Sequence, residues 1–145
     1  MAETEKIKMF TDGGSRGNPG PAGIGVWIES LGKKYGEYIG EKTNNEAEYT
    51  ALIYGLTKLK QILGKNKIKE YAIECYLDSE LVVRQLNHEY KLKESHIQKS
   101  FLEIWNLMLD FREIKFYHIP REKNTIADAL ANEALDAQMK QRSLI

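Results

Sequence analysis

The chain has 145 residues, of which 42% are hydrophobic and 29% charged, and its formal net charge is zero; this fits one globular domain over 1–145 and excludes a disordered or globally basic chain. No apolar run approaches the ~20 residues that cross a bilayer, and the polar opening with Glu3 and Glu5 is not a signal peptide, so no membrane is expected. The single Cys75 and three histidines disfavour a disulfide or a zinc cluster and suit a reducing, cytoplasmic setting.

Residues 6–10 alternate polar and apolar side chains and are expected to form a strand. The fifteen residues 11–25 that follow hold six glycines and two prolines, which predicts a tight, exposed turn with Asp12 where the strand ends. Bare backbone beside an acid suits a metal ion meeting a polyanion, although turn acids are often merely solvated. Residues 23–30 and 34–40 predict two further strands, joined to the first by connections too short for a crossover, hence an antiparallel meander.

Leu52, Leu56, Leu59 and Leu63 set the period of a helix opening at 43–45, with Asn45 as N-cap and Glu48 as its capping-box partner. A lysine-rich loop leads to a fourth strand at 70–77, which after a helix is expected to lie parallel to the first. A short helix at 79–87, a polar joint at 89–94 and a longer helix at 95–111 follow. Trp27 and Trp105 fall at apolar positions of their elements and are expected in the core. A fifth strand at 113–119 and a loop at 120–123 precede a last helix, capped by Asn124 or Thr125; residues 138–145 are expected to fray. The order β-β-β-α-β-α-α-β-α describes an α/β domain, a mixed five-stranded sheet flanked by helices.

Four carboxylates recur in comparable places. Asp12 and Asp78 each follow a strand, while Glu48 and Asp128 each sit near a helix start. Singly, each has an ordinary explanation as a solvated, capping or helix-dipole residue. As a set they differ, because counting back from Leu56 and Leu135 places Glu48 and Asp128 on or beside the faces turned to the sheet. Clustered carboxylates repel unless a cation joins them. An all-oxygen ligand set points to Mg²⁺ or Mn²⁺, and a pair of such ions can activate water and stabilise a leaving phosphodiester oxygen.

The sequence resembles the small single-domain (type 1) ribonuclease H family over about residues 6–135. The likeness rests on Thr11-Asp12-Gly13-Gly14 with Arg16-Gly17-Asn18-Pro19-Gly20, on Thr43-Asn44-Asn45-Glu46-Ala47-Glu48, on Leu77-Asp78-Ser79-Glu80, and on Arg121-Glu122-Lys123-Asn124 with Ala127-Asp128-Ala129-Leu130-Ala131. The resemblance implies a ribonuclease H-like fold and cleavage of the RNA strand of an RNA–DNA hybrid, leaving 5′-phosphate and 3′-hydroxyl ends. It implies two Mg²⁺ ions, replaceable by Mn²⁺, on Asp12, Glu48, Asp78 and Asp128. It further implies that Gly13, Gly14, Ser15, Asn18, Asn45 and Glu48 read ribose hydroxyls, and that Thr43, Asn44 and Ser79 position phosphates and the DNA strand, with Arg16 also at the substrate.

Three departures from the family pattern stand out. Only residues 87–94, with Lys91 and Lys93, occupy the place of a basic, Trp-containing protrusion. No hybrid-binding domain is expected before residue 6. The auxiliary residue is expected to be Arg121, in the loop seven residues before Asp128, in preference to His118, which ends the fifth strand. The alternatives are the same chemistry on double-stranded RNA, whose A-form shape is shared, or a catalytically silent hybrid-binding module. A monomer is expected.

Overall fold

Ile7 and Met9 of the first strand, Val26 and Ile28 of the second, and Ile73, Cys75 and Leu77 of the fourth alternate with more exposed residues and join one buried cluster. A computed structural model, which describes residues 5–143, places them in a mixed five-stranded sheet. The strands are β1 (Glu5–Ser15), β2 (Gly20–Ile28), β3 (Lys33–Lys42), β4 (Tyr71–Leu77) and β5 (Glu113–His118), in the order β3-β2-β1-β4-β5. β1 pairs antiparallel with β2 and parallel with β4, and β4 pairs parallel with β5. The helices are α1 (Asn44–Leu63), α2 (Glu80–Leu86), α3 (Ser95–Met108) and α4 (Thr125–Ser143), so the expected element order holds. The three single-turn 3-10 segments lie in connections.

Successive residues of a strand face opposite sides, and the two helices that position the site exploit this. Val26 and Met9 meet Gly55 of α1, whereas Gly25 lies against Ala127 and Ala131 of α4. α1, backed by α3, therefore covers one face of the sheet, and α4 covers the β2–β3 half of the other. Where α4 ends its cover, Trp27, Phe10, Tyr76 and Tyr117 form a row across β2, β1, β4 and β5, with ring centroids 5.1, 4.9 and 5.4 Å apart.

The glycine-rich stretch departs from expectation. β1 runs through Gly13 and Gly14 to Ser15, and β2 begins at Gly20, so only residues 16–19 form the turn. These glycines are close-approach positions. A Cβ on Gly13 would collide with the backbone of Ala47 and Glu48, and one on Gly25 with that of Ala127. A glycine run looks like a turn in sequence, yet here it marks where two helices press their backbones onto a sheet.

Other boundaries differ for local reasons. Thr43, not Asn45, is the N-cap of α1; its hydroxyl accepts from Glu46 N at 3.2 Å while Glu46 Oε1 accepts from Thr43 N at 3.0 Å. α4 continues to Ser143, so 138–143 are helical rather than frayed; residues 144–145, like 1–4, lie outside the described residues. Trp105 is 49% exposed, beside exposed Leu102 and Leu109, because α3 buries only Ile97 and Ile104. Trp27 is half-buried in the aromatic row rather than in the core. Among the described residues no helix is long and apolar enough to cross a membrane.

Gly13→Ala should lower stability by about 1–3 kcal/mol through overpacking against α1. Gly14→Ala should be near neutral, since the nearest atom to its Cβ would be Asn44 Oδ1 at 3.9 Å. Denaturant unfolding of the two variants checks the contrast; equal losses would contradict the close-approach reading.

Candidate metal centre

Two parallel neighbours deliver the first pair of acids. The β1–β4 ladder ends at Phe10 and Tyr76. Asp12 lies two residues beyond on β1, and Asp78 directly follows β4. Both carboxylates thus emerge in the crevice at the strands' carboxyl ends, where the two chains diverge. Glu48 arrives from α1, whose second turn rests on Gly13. Because Thr43 and Glu46 make the capping box, Glu48 has no capping duty, contrary to the alternative that paired it with Asn45. One oxygen each from Asp12, Glu48 and Asp78 lie within 4.8 Å of one another. Asp12 is 8% and Glu48 6% exposed.

Asp128 stands in the first turn of α4, in contact with Asp12 but outside that tight trio. Its backbone N–H donates to Asn124 O at 3.1 Å. Asp78 does not cap α2; Ser79 does, its hydroxyl accepting from Val82 N at 3.3 Å.

All four acids line one cleft of about 390 Å³, together with Gly13, Gly14, Ser15, Asn44, Asn45, Ser79 and Arg121. An adjoining hollow of about 290 Å³ is lined by Asn18, Thr43, Asn44, Asn45 and Glu94. The turn after β1 is stapled to α1: Ser15 N donates to Asn44 Oδ1 at 2.9 Å, and Asn44 N donates to Asn18 Oδ1 at 3.0 Å. Two expected residues lie elsewhere. Arg16 turns to α4 and pairs with Asp136 at 2.6 Å. His118 lines a separate hollow with Glu80, Val83, Arg84, Asn87 and Glu89. Glu94, read in the sequence only as part of a polar joint, borders the second hollow, and no local pattern singles it out. Asn124, read as a cap and as part of the Arg121–Asn124 motif but given no role at the site, is 1% exposed and donates from its side chain to Thr11 O and Asp78 Oδ2. That motif and its place four residues before Asp128 are the signals the sequence offers for it.

Comparison with known proteins gives concordant matches. A family model described as "Reverse transcriptase-like" matches residues 10–134. The "Bifunctional protein Rv2228c" of Mycobacterium tuberculosis is 41% identical over 139 residues, covering 91% of this chain and 36% of that protein. The chain thus spans about a third of the length of the first curated relatives it matches. A "Ribonuclease H" of Erythrobacter litoralis is 34% identical over 152 residues, covering 92% of this chain and 99% of that one. Among solved structures, LC11-RNase H1 in complex with RNA/DNA hybrid superposes with a TM-score of 0.86 at 45% identity, covering 92% of this chain and 99% of that one.

The electrostatics of the cluster call for a cation. Burial, then the charge of Asp78, then contact with Asp128 push the Asp12 carboxyl from its usual 3.8 to about 7, against a hydrogen bond from Glu48. Burial, then the charges of Asp12 and Asp78, hold Glu48 well above the carboxylate range. Glu48 Oε2 is buried with no hydrogen-bond partner. An orphaned carboxylate oxygen among acids that resist ionising together fits a hard divalent cation bound through oxygen.

The sign follows from linkage. Between the usual carboxylate range and about pH 7, native Asp12 binds more protons than the unfolded chain does. Metal-free protein should therefore lose stability as pH rises through that window. Thermal melts in chelator should show the decline. Asp12→Asn should flatten it; an unchanged slope in that variant would place the titration elsewhere.

Proposed function

The chain belongs to the ribonuclease H family, and we propose that it is an endonuclease that hydrolyses the RNA strand of RNA–DNA hybrids, leaving 5′-phosphate and 3′-hydroxyl ends. The observation that carries this reading is the convergence of Asp12, Glu48 and Asp78 oxygens within 4.8 Å at the mouth of a cleft. Asp12, Glu48, Asp78 and Asp128 would hold two Mg²⁺ ions, with Mn²⁺ as substitute. Bound there, the ions would supply an activated water and stabilise the leaving oxygen.

The chain's own residues do the rest. The missing Cβ of Gly13 admits α1, whereas that of Gly14 leaves open space beside the backbone of residues 13–15, where a ribose can approach closely. Asn18 and Asn45 lie beside it, and with Glu48 they are suited to contact 2′-hydroxyls, the groups that separate RNA from DNA. Thr43, Asn44 and Asn45, at the N-terminus of α1, border the adjoining hollow, where the helix dipole favours a phosphate. Ser79 serves two ends, capping α2 and bordering the cleft. Arg121 is the cation on the cleft wall, placed to offset charge building on the scissile phosphate. Arg16 is engaged by Asp136 through Nη2 alone, which leaves its other guanidinium donors for a substrate. Residues 1–145 are read as one such domain, acting as a monomer; the buried, unpaired Cys75 suits the cytoplasm.

Labelled RNA–DNA hybrid, duplex RNA and duplex DNA, each with Mg²⁺ or chelator, test the reading. Cleavage of the hybrid's RNA strand with Mg²⁺ alone is expected; tight binding without cutting would make the protein a binding module. Asp12→Asn should reduce cleavage to background while the far-ultraviolet spectrum stays native. Arg121→Ala should slow turnover by about 10²-fold, with His118→Ala close to wild type. The reverse order would move the auxiliary role to His118.

A further inference from the structure

We propose that Asn124 is a positioning residue of the acidic centre, one that fixes the Asp78 carboxylate for metal binding and locks it to β1 and to the first turn of α4; this rests on the proposed function of the same site. Asn124 is 1% exposed. Its Nδ2 donates to Asp78 Oδ2 at 3.0 Å and to Thr11 O at 2.9 Å. Both N–H bonds of the amide are thereby used, one on each side of the crevice between β1 and β4. The β1–β4 ladder stops at Phe10 and Tyr76, so the amide takes up a carbonyl just past the last strand pair.

The main chain of the same residue continues the tie. Asn124 N donates to Arg121 O at 3.0 Å, and Asn124 O accepts from Asp128 N at 3.1 Å. One side chain and its backbone therefore join Thr11, next to Asp12, with Asp78, Asp128 and the turn that carries Arg121. No other described residue links those four places.

The chemistry of the amide explains why asparagine suits the position. Both partners of Nδ2 are acceptors, so a flipped amide would set Oδ1 against a carbonyl and a carboxylate. An aspartate has the same shape but no donor, and it would add a fifth negative charge. Packing does not account for the residue either, because Oδ1 is buried with no partner. A side chain that leaves an acceptor orphaned at 1% exposure is a cost to folding, and what it returns is the fixed direction of Asp78. A tethered carboxylate loses less rotamer freedom when a cation binds, and groups that orient metal ligands typically contribute about 10–100-fold to metal affinity.

The test uses Mg²⁺ alone and then hybrid. In calorimetric titration of the full chain, Asn124→Ala and Asn124→Leu, which remove the donor without adding charge, should each weaken Mg²⁺ binding by about 10–100-fold. In the cleavage assay the half-saturating Mg²⁺ should rise in step, with KM for hybrid at saturating Mg²⁺ unchanged. Wild-type Mg²⁺ affinity in a folded Asn124 variant of lowered melting temperature would make the residue structural and overturn the proposal, as would failure of both variants to fold. If wild-type protein binds Mg²⁺ but cuts no hybrid, the reading of function fails while the titration still decides the role of Asn124.

Discussion

Asp12, Glu48 and Asp78 place negative oxygens closer together than water-poor surroundings tolerate. Burial and mutual repulsion raise both Asp12 and Glu48 above the carboxylate range. The chain folds around this conflict and does not relieve it with an arginine or lysine inside the trio. Arg121 stands on the cleft wall, and Arg16 is engaged by Asp136. What remains is a site whose favourable partner is a small, doubly charged, oxygen-seeking ion. A polyanion brought to such an ion meets attraction that a chain of zero net charge does not offer overall.

The scaffold that enforces the conflict is simple. Parallel pairing of β1 and β4 sends two acids to one end of the sheet. Gly13 admits the backbone of α1, which sets Glu48 over β1. Gly25 does the same for α4, which brings Asp128 to Asp12 from the other face. The two helices are seated by backbone-to-backbone approach, which allows little sliding, so the acids inherit the rigidity of the sheet. The thioether of Met9 and a methyl of Val26 close over Gly55 and complete the seat of α1.

Much of this was legible in the sequence. The alternation of Ile7 and Met9, the leucine period from Leu52 to Leu63 and the glycine breaks gave the order of elements. The apolar registers of two helices placed Glu48 and Asp128 on sheet-facing sides. What misled was residue type without partner. Glycines read as a turn lie in paired strands, because no local pattern tells a bend from a surface awaiting a helix. Asn45 and Thr43, two residues earlier, each have a Glu three residues on and so equal local merit as caps; the structure closes the box between Thr43 and Glu46, which leaves Glu48 for the site. Trp105 read as core because it shares an apolar period with Phe101, Ile104 and Met108, and only packing shows which side of α3 is covered. Asn124 was invisible as a tether, since its partners lie 113 and 46 residues away in the chain.

The central claim is that these acids are held together against their charge until a divalent cation arrives. Mg²⁺ titration calorimetry of the metal-free protein near neutral pH, repeated in buffers of different ionisation heat, tests it most directly. The claim requires saturable Mg²⁺ binding accompanied by release of protons into the buffer, because Asp12 and Glu48 must give theirs up. Binding with no proton release, or no binding at all, would contradict it.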